Sequence, residues 1–162
     1  MVKIEVEPIG IIISPYKEIN DMPIQGRFGK NDVQGHIELY EQYLDGLRDL
    51  DGFSHAYILY YFHRTDRVHL EGKPYLEDEP HGIFAIRSPH RPNHIGLSIV
   101  RIEKIEKNIL YFREVDMLDG TPVLDIKPYV KHFDCREDAV SGWIDKHFEN
   151  GDIPDRVITK GR

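Results

Sequence analysis

Residues 84–96 read Phe-Ala-Ile-Arg-Ser-Pro-His-Arg-Pro-Asn-His-Ile-Gly, and no acidic residue occurs between residues 82 and 102. Pro89 and Pro92 stand three residues apart, which excludes a regular helix and a central strand here. The pattern predicts a stiff, irregular loop between two apolar strands, residues 87–94, which we call the basic loop. Its hydrogen-bond donors are Arg87, His90, Arg91, Asn93 and His94. Such a loop is typical of a cradle for an anionic ligand, and equally of a basic surface turn whose arginines pair with acids elsewhere.

The chain around this loop is rich in short strand patterns. The strongest covers residues 53–62, which are mostly aromatic or aliphatic. Residues 97–105 and 109–115 predict a hairpin that turns at Lys107-Asn108. Further strands are predicted at residues 2–14, 35–39, 82–87 and 123–126, a short helix at residues 41–50, and an amphipathic helix at residues 137–148 that Asn150-Gly151 ends.

These patterns predict a fold that is mainly β. Short strands with short connections and few helices indicate a single small closed or nearly closed β-barrel with a short helix and a C-terminal helix. The sequence shows no regular alternation of strand and helix and no strand followed by a Gly-rich turn and a helix. A doubly wound, dinucleotide-binding sheet is therefore disfavoured.

The composition is that of one ordinary domain. The chain has 162 residues, a net charge of -7 and a pI of about 5.7. This net negative charge argues against non-specific binding of the whole surface to nucleic acid. It is compatible with a small basic patch that contacts nucleic acid. The one cysteine, Cys135, cannot form an intrachain disulfide, which fits a reducing compartment. No apolar run approaches the roughly 20 residues of a membrane span, so we expect a cytoplasmic protein without membrane contact.

Several common chemistries lack their signatures in this sequence. There is no Cys-x-x-Cys pair, no His-Glu-x-x-His, no Gly-x-Ser-x-Gly elbow and no Walker-type phosphate loop. His90 and His94 are four residues apart, but Pro92 prevents them from sharing a helical face, so we predict no metal site. What remains is a site of Arg, Asn, Asp, Gln and backbone amides around a small ligand.

Candidate site residues lie near the ends of predicted strands. His63 follows the strand at residues 53–62, whereas His55 within it is interpreted as a core histidine. Gln25 lies in a long loop, residues 15–31, whose length favours a functional or a disordered segment. Its amide suits an adenine edge or an amide substrate, and a solvated glutamine is the competing interpretation.

Three carboxylates and one lysine fall within twelve residues flanked by apolar strands: Asp116, Asp119, Asp125 and Lys127. They form either a solvated turn or part of a site. In a site, such carboxylates can hold ribose hydroxyls, pair with an arginine of the basic loop, or accept a proton.

Two stretches carry the resemblance to a known family. Residues 87–96, Arg-Ser-Pro-His-Arg-Pro-Asn-His-Ile-Gly, and residues 119–129, Asp-Gly-Thr-Pro-Val-Leu-Asp-Ile-Lys-Pro-Tyr, resemble the TsaA-like family, also called the TrmO family. The resemblance covers roughly residues 4–133. We therefore expect a TsaA-like barrel domain at residues 1–133, followed by a helical and polar tail at residues 134–162.

The resemblance implies an enzyme built on a single-domain β-barrel that works as a homodimer. It implies methyl transfer from S-adenosylmethionine to N6 of N6-threonylcarbamoyladenosine at position 37 of tRNA. It also implies that S-adenosylmethionine lies against eleven residues: Pro23, Ile24, Gln25, His63, Arg64, Arg87, Leu97, Asp116, Met117, Leu118 and Asp119. Arg87 can form a two-point contact with the methionine carboxylate. Asp116 or Asp119 can stabilise the sulfonium or the ammonium group, or bind the ribose.

The acceptor nitrogen carries a carbamoyl group and is a poor nucleophile, so a group that accepts its proton would help. Our hypothesis gives that role to Asp125, with Lys127 or Tyr129 as an orienting or electrostatic partner. Methyl transfer from a sulfonium is an in-line displacement, so positioning supplies much of the acceleration. His90, Arg91 and Asn93 suit a tRNA phosphate or the threonyl carboxylate of the modified base.

The length of the chain leaves alternatives open. Longer bacterial relatives have an additional C-terminal domain, whereas about 30 residues follow the predicted barrel here, so the mode of tRNA docking is open. One alternative is a non-catalytic module that binds S-adenosylmethionine or a modified nucleotide. Another is a methyltransferase with a different acceptor. The tail helix with Trp143 packs either on the barrel or on a partner subunit.

Overall fold

The computed structural model describes residues 2–29 and 33–152. Its strands, numbered along the chain, are β1 (Gly10–Ile13), β2 (Gln34–Leu39), β3 (His55–Tyr61), β4 (Glu71–Gly72), β5 (His81–Gly82), β6 (Ile95–Glu106), β7 (Ile109–Arg113) and β8 (Thr121–Pro128). Within the described residues, a closed barrel forms in the order β1-β2-β7-β6-β3-β8, and each neighbouring pair is antiparallel. β4 and β5 pair separately. The prediction of a mainly β fold with a small closed barrel is confirmed.

The interior of the barrel is filled by side chains. Alternation along β6 places Ser98 and Val100 inside, and Leu97 and Ile99 outside. Neighbouring strands contribute large apolar side chains that are fully buried, among them Ile12, Ile37, Ile58, Leu110, Phe112 and Val123. A small barrel packed in this way holds no ligand at its centre, so a binding site must lie at one end or on the wall.

Three long loops leave the barrel at the same end. Tyr61 at the end of β3 lies opposite Ile95 at the start of β6, and Ile12 near the end of β1 lies opposite Thr121 at the start of β8. The loops that begin at residues 14, 62 and 114 therefore meet there, and we call this end of the barrel the site end. The segments at residues 40–54 and 107–108 lie at the opposite end.

The first strand is shorter than the prediction of residues 2–14. It begins at Gly10, and Val2, Ile4 and Val6 ahead of it are exposed despite their strand-like alternation. Pro8, which has no N–H to donate to a neighbouring strand, stands just before the paired residues. The alternation of apolar residues therefore predicts a strand that is too long, because it contains no information on where hydrogen bonding to neighbouring strands begins.

The predicted strand at residues 82–87 is wrong. β5 ends at Gly82, and a 3-10 turn covers Ile83–Ala85. Ile83 and Ile86 are buried at a spacing of three residues, which is the period of a 3-10 turn, whereas Phe84 between them is exposed. The apolar run is a tight turn with a buried and an exposed side, and the basic loop follows it directly.

The predicted helices are shorter than expected. Residues 41–50 form a 3-10 segment, Glu41–Leu47, in place of an α-helix. The tail contains α1 (Lys131–Asp134), a 3-10 turn at Gly142–Ile144, and α2 (Asp145–Glu149). Gly142 has a left-handed φ of 59°, which interrupts the predicted helix at residues 137–148. The predicted end of the helix at Asn150-Gly151 is confirmed, since α2 stops at Glu149 and Gly151 has a φ of 82°.

The predicted hairpin between residues 97–105 and 109–115 is confirmed as β6 and β7, which turn at Lys107 with a φ of 56°. Among residues 2–29 and 33–152, no helix combines the length and the apolar character needed to cross a bilayer.

Candidate active site

The basic loop is held by a hydrogen bond within it and by one to the residue just before it. The N–H of His90 donates to Ser88 Oγ at 3.2 Å, and Arg91 Nη1 donates to the carbonyl of Ile86 at 3.1 Å. Asn93 adopts a left-handed φ of 64°, which asparagine tolerates better than most residues. The prediction of an irregular loop is confirmed, although a 3-10 turn rather than a strand precedes it.

The three residues predicted to bind substrate, His90, Arg91 and Asn93, therefore lie side by side in this loop. His90 Nδ1 lies 2.7 Å from Thr65 Oγ1. Burial, with the nearby His69, lowers the pKa of His90 below its usual value, so the ring is neutral at pH 7. His90 is thus suited to hydrogen bonding, and Arg91 supplies the positive charge.

Three loops meet at one point of the site end. Arg87 Nη1 donates to Gln25 Oε1 at 2.8 Å, which joins the basic loop to residues 23–28 across 62 positions of sequence. The backbone N–H of Gly26 donates to Asp116 Oδ2 at 2.9 Å, across 90 positions. The structure therefore brings together predicted cofactor residues from three loops, with Pro23 and Ile24 in the adjacent backbone. We call the contacts of Gln25, Gly26, Arg87 and Asp116 the three-loop junction.

Asp116 is a buried carboxylate at the base of this junction. Only 9% of the residue is exposed, and Oδ1 lies 2.5 Å from Ser98 Oγ. Burial raises the pKa of Asp116 to about 6, while the hydroxyl of Ser98, the N–H of Gly26 and the charge of Arg87 act in the opposite direction. At neutral pH the group is ionised, and its donors hold the loop in place.

Asp119 ties the end of β1 to the same end of the barrel. Its Oδ1 accepts from the N–H of Ser14 at 3.0 Å, and its Oδ2 lies 2.5 Å from Lys17 Nζ. Lys17, followed by the N–H of Ser14, lowers the pKa of Asp119. Arg64 Nη1 donates to the carbonyl of Lys17 at 2.8 Å, which joins the loop after β3 to this group.

His63 lies beside Arg64 and next to the start of β8, where its Nδ1 is 3.4 Å from Thr121 Oγ1. Burial, then the charge of Arg64, lowers the pKa of His63, so the imidazole is neutral at pH 7. Met117 and Leu118 are buried, Met117 as part of the core, so these two predicted cofactor residues can offer a ligand chiefly their backbone. His55 is half-buried, pairs with Ser54 Oγ at 2.8 Å and is not part of the core cluster.

The residues predicted to act in catalysis, Asp125, Lys127 and Tyr129, lie together on the outer wall. Asp125 is opposite Leu59 and Lys127 opposite Tyr57, positions that alternate with the buried Ile58. Lys127 Nζ lies 2.8 Å from Asp125 Oδ2, and the ring centroids of Tyr129 and Tyr57 are 5.6 Å apart.

The outer wall also carries Leu97, a predicted cofactor residue. Leu97 pairs with Leu59, which pairs with Asp125, so the three stand in one row across β6, β3 and β8. The row is bordered by exposed apolar side chains on β3 and β6, namely Tyr61, Ile95 and Ile99. The predicted site residues thus fall into two groups, one at the site end and one on this wall.

The described residues contain no group of three or more His, Cys, Asp or Glu side chains arranged to hold a metal ion.

The family model for the tRNA-methyltransferase O N-terminal domain matches residues 11–135. The chain belongs to this family. A probable S-adenosyl-L-methionine-binding protein of Pyrococcus abyssi is 50% identical over 140 residues, which are 86% of this chain and 76% of that protein. The human tRNA (adenine(37)-N6)-methyltransferase is 33% identical over 160 residues, 95% of this chain and 36% of the human protein.

Solved structures agree with this family membership. A crystal structure of TrmO superposes with a TM-score of 0.75 and 38% identity, covering 87% of this chain and 64% of that one. A TrmO structure from Pseudomonas has the same TM-score and covers 90% of this chain and 63% of its own. The chain thus spans slightly less than two thirds of the length of these TrmO structures.

The tail of this TrmO-family chain packs on β5 and on the 3-10 turn that follows it, outside the barrel strands. The Trp143 ring stacks on His81 with centroids 4.7 Å apart, and its Nε1–H donates to the carbonyl of Ala85 at 3.0 Å. Phe148 contacts Phe28, next to the three-loop junction, with centroids 6.1 Å apart.

Glu77 fastens this tail to the loop between β4 and β5. It accepts from Lys146 Nζ at 2.5 Å and from His147 Nε2 at 2.9 Å, and it also contacts His81 Nε2. Lys146, then His147 and His81, lower the pKa of Glu77 to about 2. Sequence reasoning missed this cluster because Glu77 lies in an acidic run that resembles a solvated surface.

Sequence reasoning also missed Ser98 and Tyr60. Both point into the TrmO-type barrel, and Ser98 Oγ lies 3.3 Å from Tyr60 Oη and 2.5 Å from Asp116. A polar side chain at an inward position of a strand was the available signal, since Ser98 alternates with apolar residues that face outward.

Proposed function

We propose that this chain is a methyltransferase that uses S-adenosylmethionine and methylates N6 of N6-threonylcarbamoyladenosine at position 37 of tRNA. Membership of the tRNA-methyltransferase O family and the names of its relatives support the activity and the cofactor. The observation that carries the proposal is the three-loop junction, where Arg87 and Gln25 meet above the buried Asp116.

The groups of the site end can bind the cofactor by its charges. Arg87 presents a guanidinium suited to the methionine carboxylate, and Gln25 presents an amide beside it. The carboxylates of Asp116 and Asp119 suit the positive ammonium or sulfonium, or the ribose hydroxyls. The backbone at residues 117–118 and the neutral His63 complete this set, with Arg64, Pro23 and Ile24 nearby.

Methyl transfer here is a displacement at carbon. A bond forms between N6 of the acceptor and the methyl carbon, the bond from that carbon to sulfur breaks, and the sulfur keeps the electron pair as S-adenosylhomocysteine. The proton lost from N6 passes to the carboxylate of Asp125, which Lys127 holds at 2.8 Å. Tyr129 orients this pair, and His90, Arg91 and Asn93 bind the tRNA backbone or the threonyl carboxylate.

A homodimer would unite the two groups of site residues. Asp125, Lys127 and Leu97 lie on the outer wall, whereas the cofactor groups lie at the site end. Packing two copies through the apolar row on β3 and β6 would bury exposed side chains such as Ile95 and Ile99. Because Ile95 lies at the site end, the wall of one subunit would then border the site end of its partner.

This arrangement is tested by mixing two inactive variants. In a 1:1 mixture of Arg87→Met and Asp125→Asn chains, half of the dimers are mixed and each mixed dimer has one intact site. We therefore expect about a quarter of wild-type activity to return. A mixture that stays inactive while light scattering shows dimers would place both residues in sites within one chain.

We also propose that the protein works in the cytoplasm, where its tRNA substrate is found. Its single cysteine, Cys135, is exposed and free, which suits a reducing compartment.

The function is tested with purified protein, methyl-labelled S-adenosylmethionine and two tRNA pools, one with and one without the threonylcarbamoyl group at position 37. Label in the modified pool alone is the expected result. No label in either pool, with S-adenosylmethionine bound, would refute the acceptor. If no S-adenosylhomocysteine forms with any acceptor, the chain is a binding module.

A further inference from the structure

We infer that Ser98 and Tyr60, inside the barrel, are positioning residues that fix the carboxylate of Asp116. Through this carboxylate they fix the loop at residues 23–28, which carries the proposed cofactor residues Pro23, Ile24 and Gln25. The inference rests on the proposed function, because it assigns roles to residues beneath the same site. Neither residue belongs to the set that the family resemblance implies.

The contacts form a chain from the barrel interior to the loop. Ser98 Oγ lies 2.5 Å from Asp116 Oδ1, and the N–H of Gly26 donates to Asp116 Oδ2 at 2.9 Å. Each carboxylate oxygen thus has a different partner, one on β6 and one on the loop. Fixing one oxygen fixes the plane of the carboxylate and so the direction from which Gly26 must approach.

The direction of the hydrogen bonds follows from the number of protons. An ionised carboxylate cannot donate, so the single hydroxyl proton of Ser98 points to Asp116. Ser98 Oγ is then free to accept from Tyr60 Oη, 3.3 Å away. Burial, with the nearby Asp116, raises the pKa of Tyr60, so the phenol keeps its proton and remains a donor.

Close packing leaves these groups little freedom. A Cβ added at Gly26 would lie 1.7 Å from the carbonyl oxygen of Glu114, so the loop rests directly on the backbone beside Asp116. A Cβ added at Gly96 would lie 2.2 Å from the Tyr60 ring, so Tyr60 is pressed against the start of β6. A small shift of Asp116 must therefore move the loop.

The consequence for the site is the placement of Gln25 and Arg87. Gln25 precedes Gly26 in the backbone, and its Oε1 accepts from Arg87 Nη1 at 2.8 Å. Ser98 and Tyr60 are 5% and 6% exposed, so they act on the cofactor through Asp116 and do not contact it. Their loss should therefore weaken cofactor binding more than it slows the chemical step.

The test compares Ser98→Ala and Tyr60→Phe with the wild-type protein, using calorimetry with S-adenosylmethionine and steady-state methyl transfer. For Ser98→Ala we expect the Kd to rise about tenfold and kcat to change less than about threefold, as fits the loss of a hydrogen bond to a charged group. Tyr60→Phe removes one neutral donor and should raise the Kd about threefold. Ser98→Thr keeps the hydroxyl and should return the Kd to within about twofold of wild type.

Val100→Ala is the matched control. Val100 is fully buried on the same strand and faces inward, two residues from Ser98. It should lower the melting temperature and leave the Kd unchanged. If Ser98→Ala and Tyr60→Phe bind S-adenosylmethionine as tightly as Val100→Ala, the inference is overturned. Because binding is measured without tRNA, a failure of the proposed acceptor would leave this comparison intact.

Discussion

The two ends of the barrel differ in how their charged side chains are connected. At the site end, hydrogen bonds join residues far apart in sequence: Arg87 with Gln25 across 62 positions, Gly26 with Asp116 across 90, and Ser14 with Asp119 across 105.

Near the opposite end lies a cavity of about 500 Å³, lined mainly by apolar side chains such as Ile9, Leu39, Leu47 and Phe53. Two of the charged residues around it, Arg48 and Asp125, form local ion pairs. Asp125 bonds to Lys127 two positions away, and Arg48 to Asp45 three positions away. Most of the proposed cofactor residues therefore lie at the end where charged side chains join distant loops, whereas the cavity lies near the other end.

The strongest test of this contrast is a methyl group added to one glycine at each end. Gly26→Ala places a Cβ against the carbonyl of Glu114, so we expect the loop to leave Asp116 and the Kd for S-adenosylmethionine to rise more than about a hundredfold. At the opposite end, Gly46→Ala meets no atom within 4 Å and should bind normally. Equal binding by both variants would show that the junction does not hold the cofactor.

The second test follows the stability of Asp116→Asn with pH. Burial raises the pKa of Asp116 from 3.8 to about 6, so between these values the folded protein binds more protons than the unfolded chain. Stability contributed by this group therefore falls as pH rises through pH 4 to 6. Relative to wild type, the variant should gain on the order of 3 kcal/mol between pH 4 and pH 7.

Denaturant unfolding at both pH values measures this change. Asp49→Asn, at the opposite end, is the control, since its left-handed φ of 64° is tolerated by asparagine. A stability difference between Asp116→Asn and wild type that is the same at pH 4 and pH 7 would contradict the buried, ionised carboxylate.

A smaller effect is expected from removing one arginine at each end. Arg87→Met deletes the hydrogen bond to Gln25 and the charge at the junction, so the Kd for S-adenosylmethionine should rise about ten- to thirtyfold. Arg48→Met removes an exposed arginine paired with Asp45 at 4.0 Å and should leave the Kd unchanged. Calorimetry on both variants shows whether the loss of an arginine weakens S-adenosylmethionine binding only at the site end. An equal Kd for the two variants would contradict a specific role for Arg87.

The smallest effect concerns the tail that packs against the site end. Trp143→Phe keeps an aromatic ring beside His81 and loses the hydrogen bond to the carbonyl of Ala85. We expect a loss of about 1 kcal/mol in thermal unfolding and no change in cofactor affinity. A large loss of affinity would instead make the tail part of the site end.

Much of the barrel could be predicted because its strands carry local signals. The aromatic segment at residues 53–62 and the hairpin around Lys107 are each defined by neighbouring residues, and both were found. The turn at Ile83–Ala85 was mistaken for a strand because an apolar run does not reveal a period of three.

The candidate site was only partly accessible to sequence reasoning. Arg87 and Asp116 were named, but the hydrogen bond from Gly26 that links their loops depends on the fold. Ser98 was missed because a single inward hydroxyl among apolar residues resembles core packing. The division between site end and wall was also missed, since it depends on the register between β3 and β8.

That register contains one irregularity with a wider consequence. Tyr60 lies opposite Val123 and Leu59 opposite Asp125, so Leu124 is an extra residue in β8. Ahead of it, Thr121 and Val123 face the core; beyond it, Asp125 and Lys127 face outward. Leu124 is thus a β-bulge, and the alternation of inward and outward side chains along β8 shifts by one residue there. Strict alternation counted from Val123 would place Asp125 and Lys127 in the core and Ile126 in solvent; because of the extra residue, the opposite holds. The bulge thus lets β8 turn two apolar side chains three positions apart, Val123 and Ile126, toward the core while the charged pair stays on the outer wall.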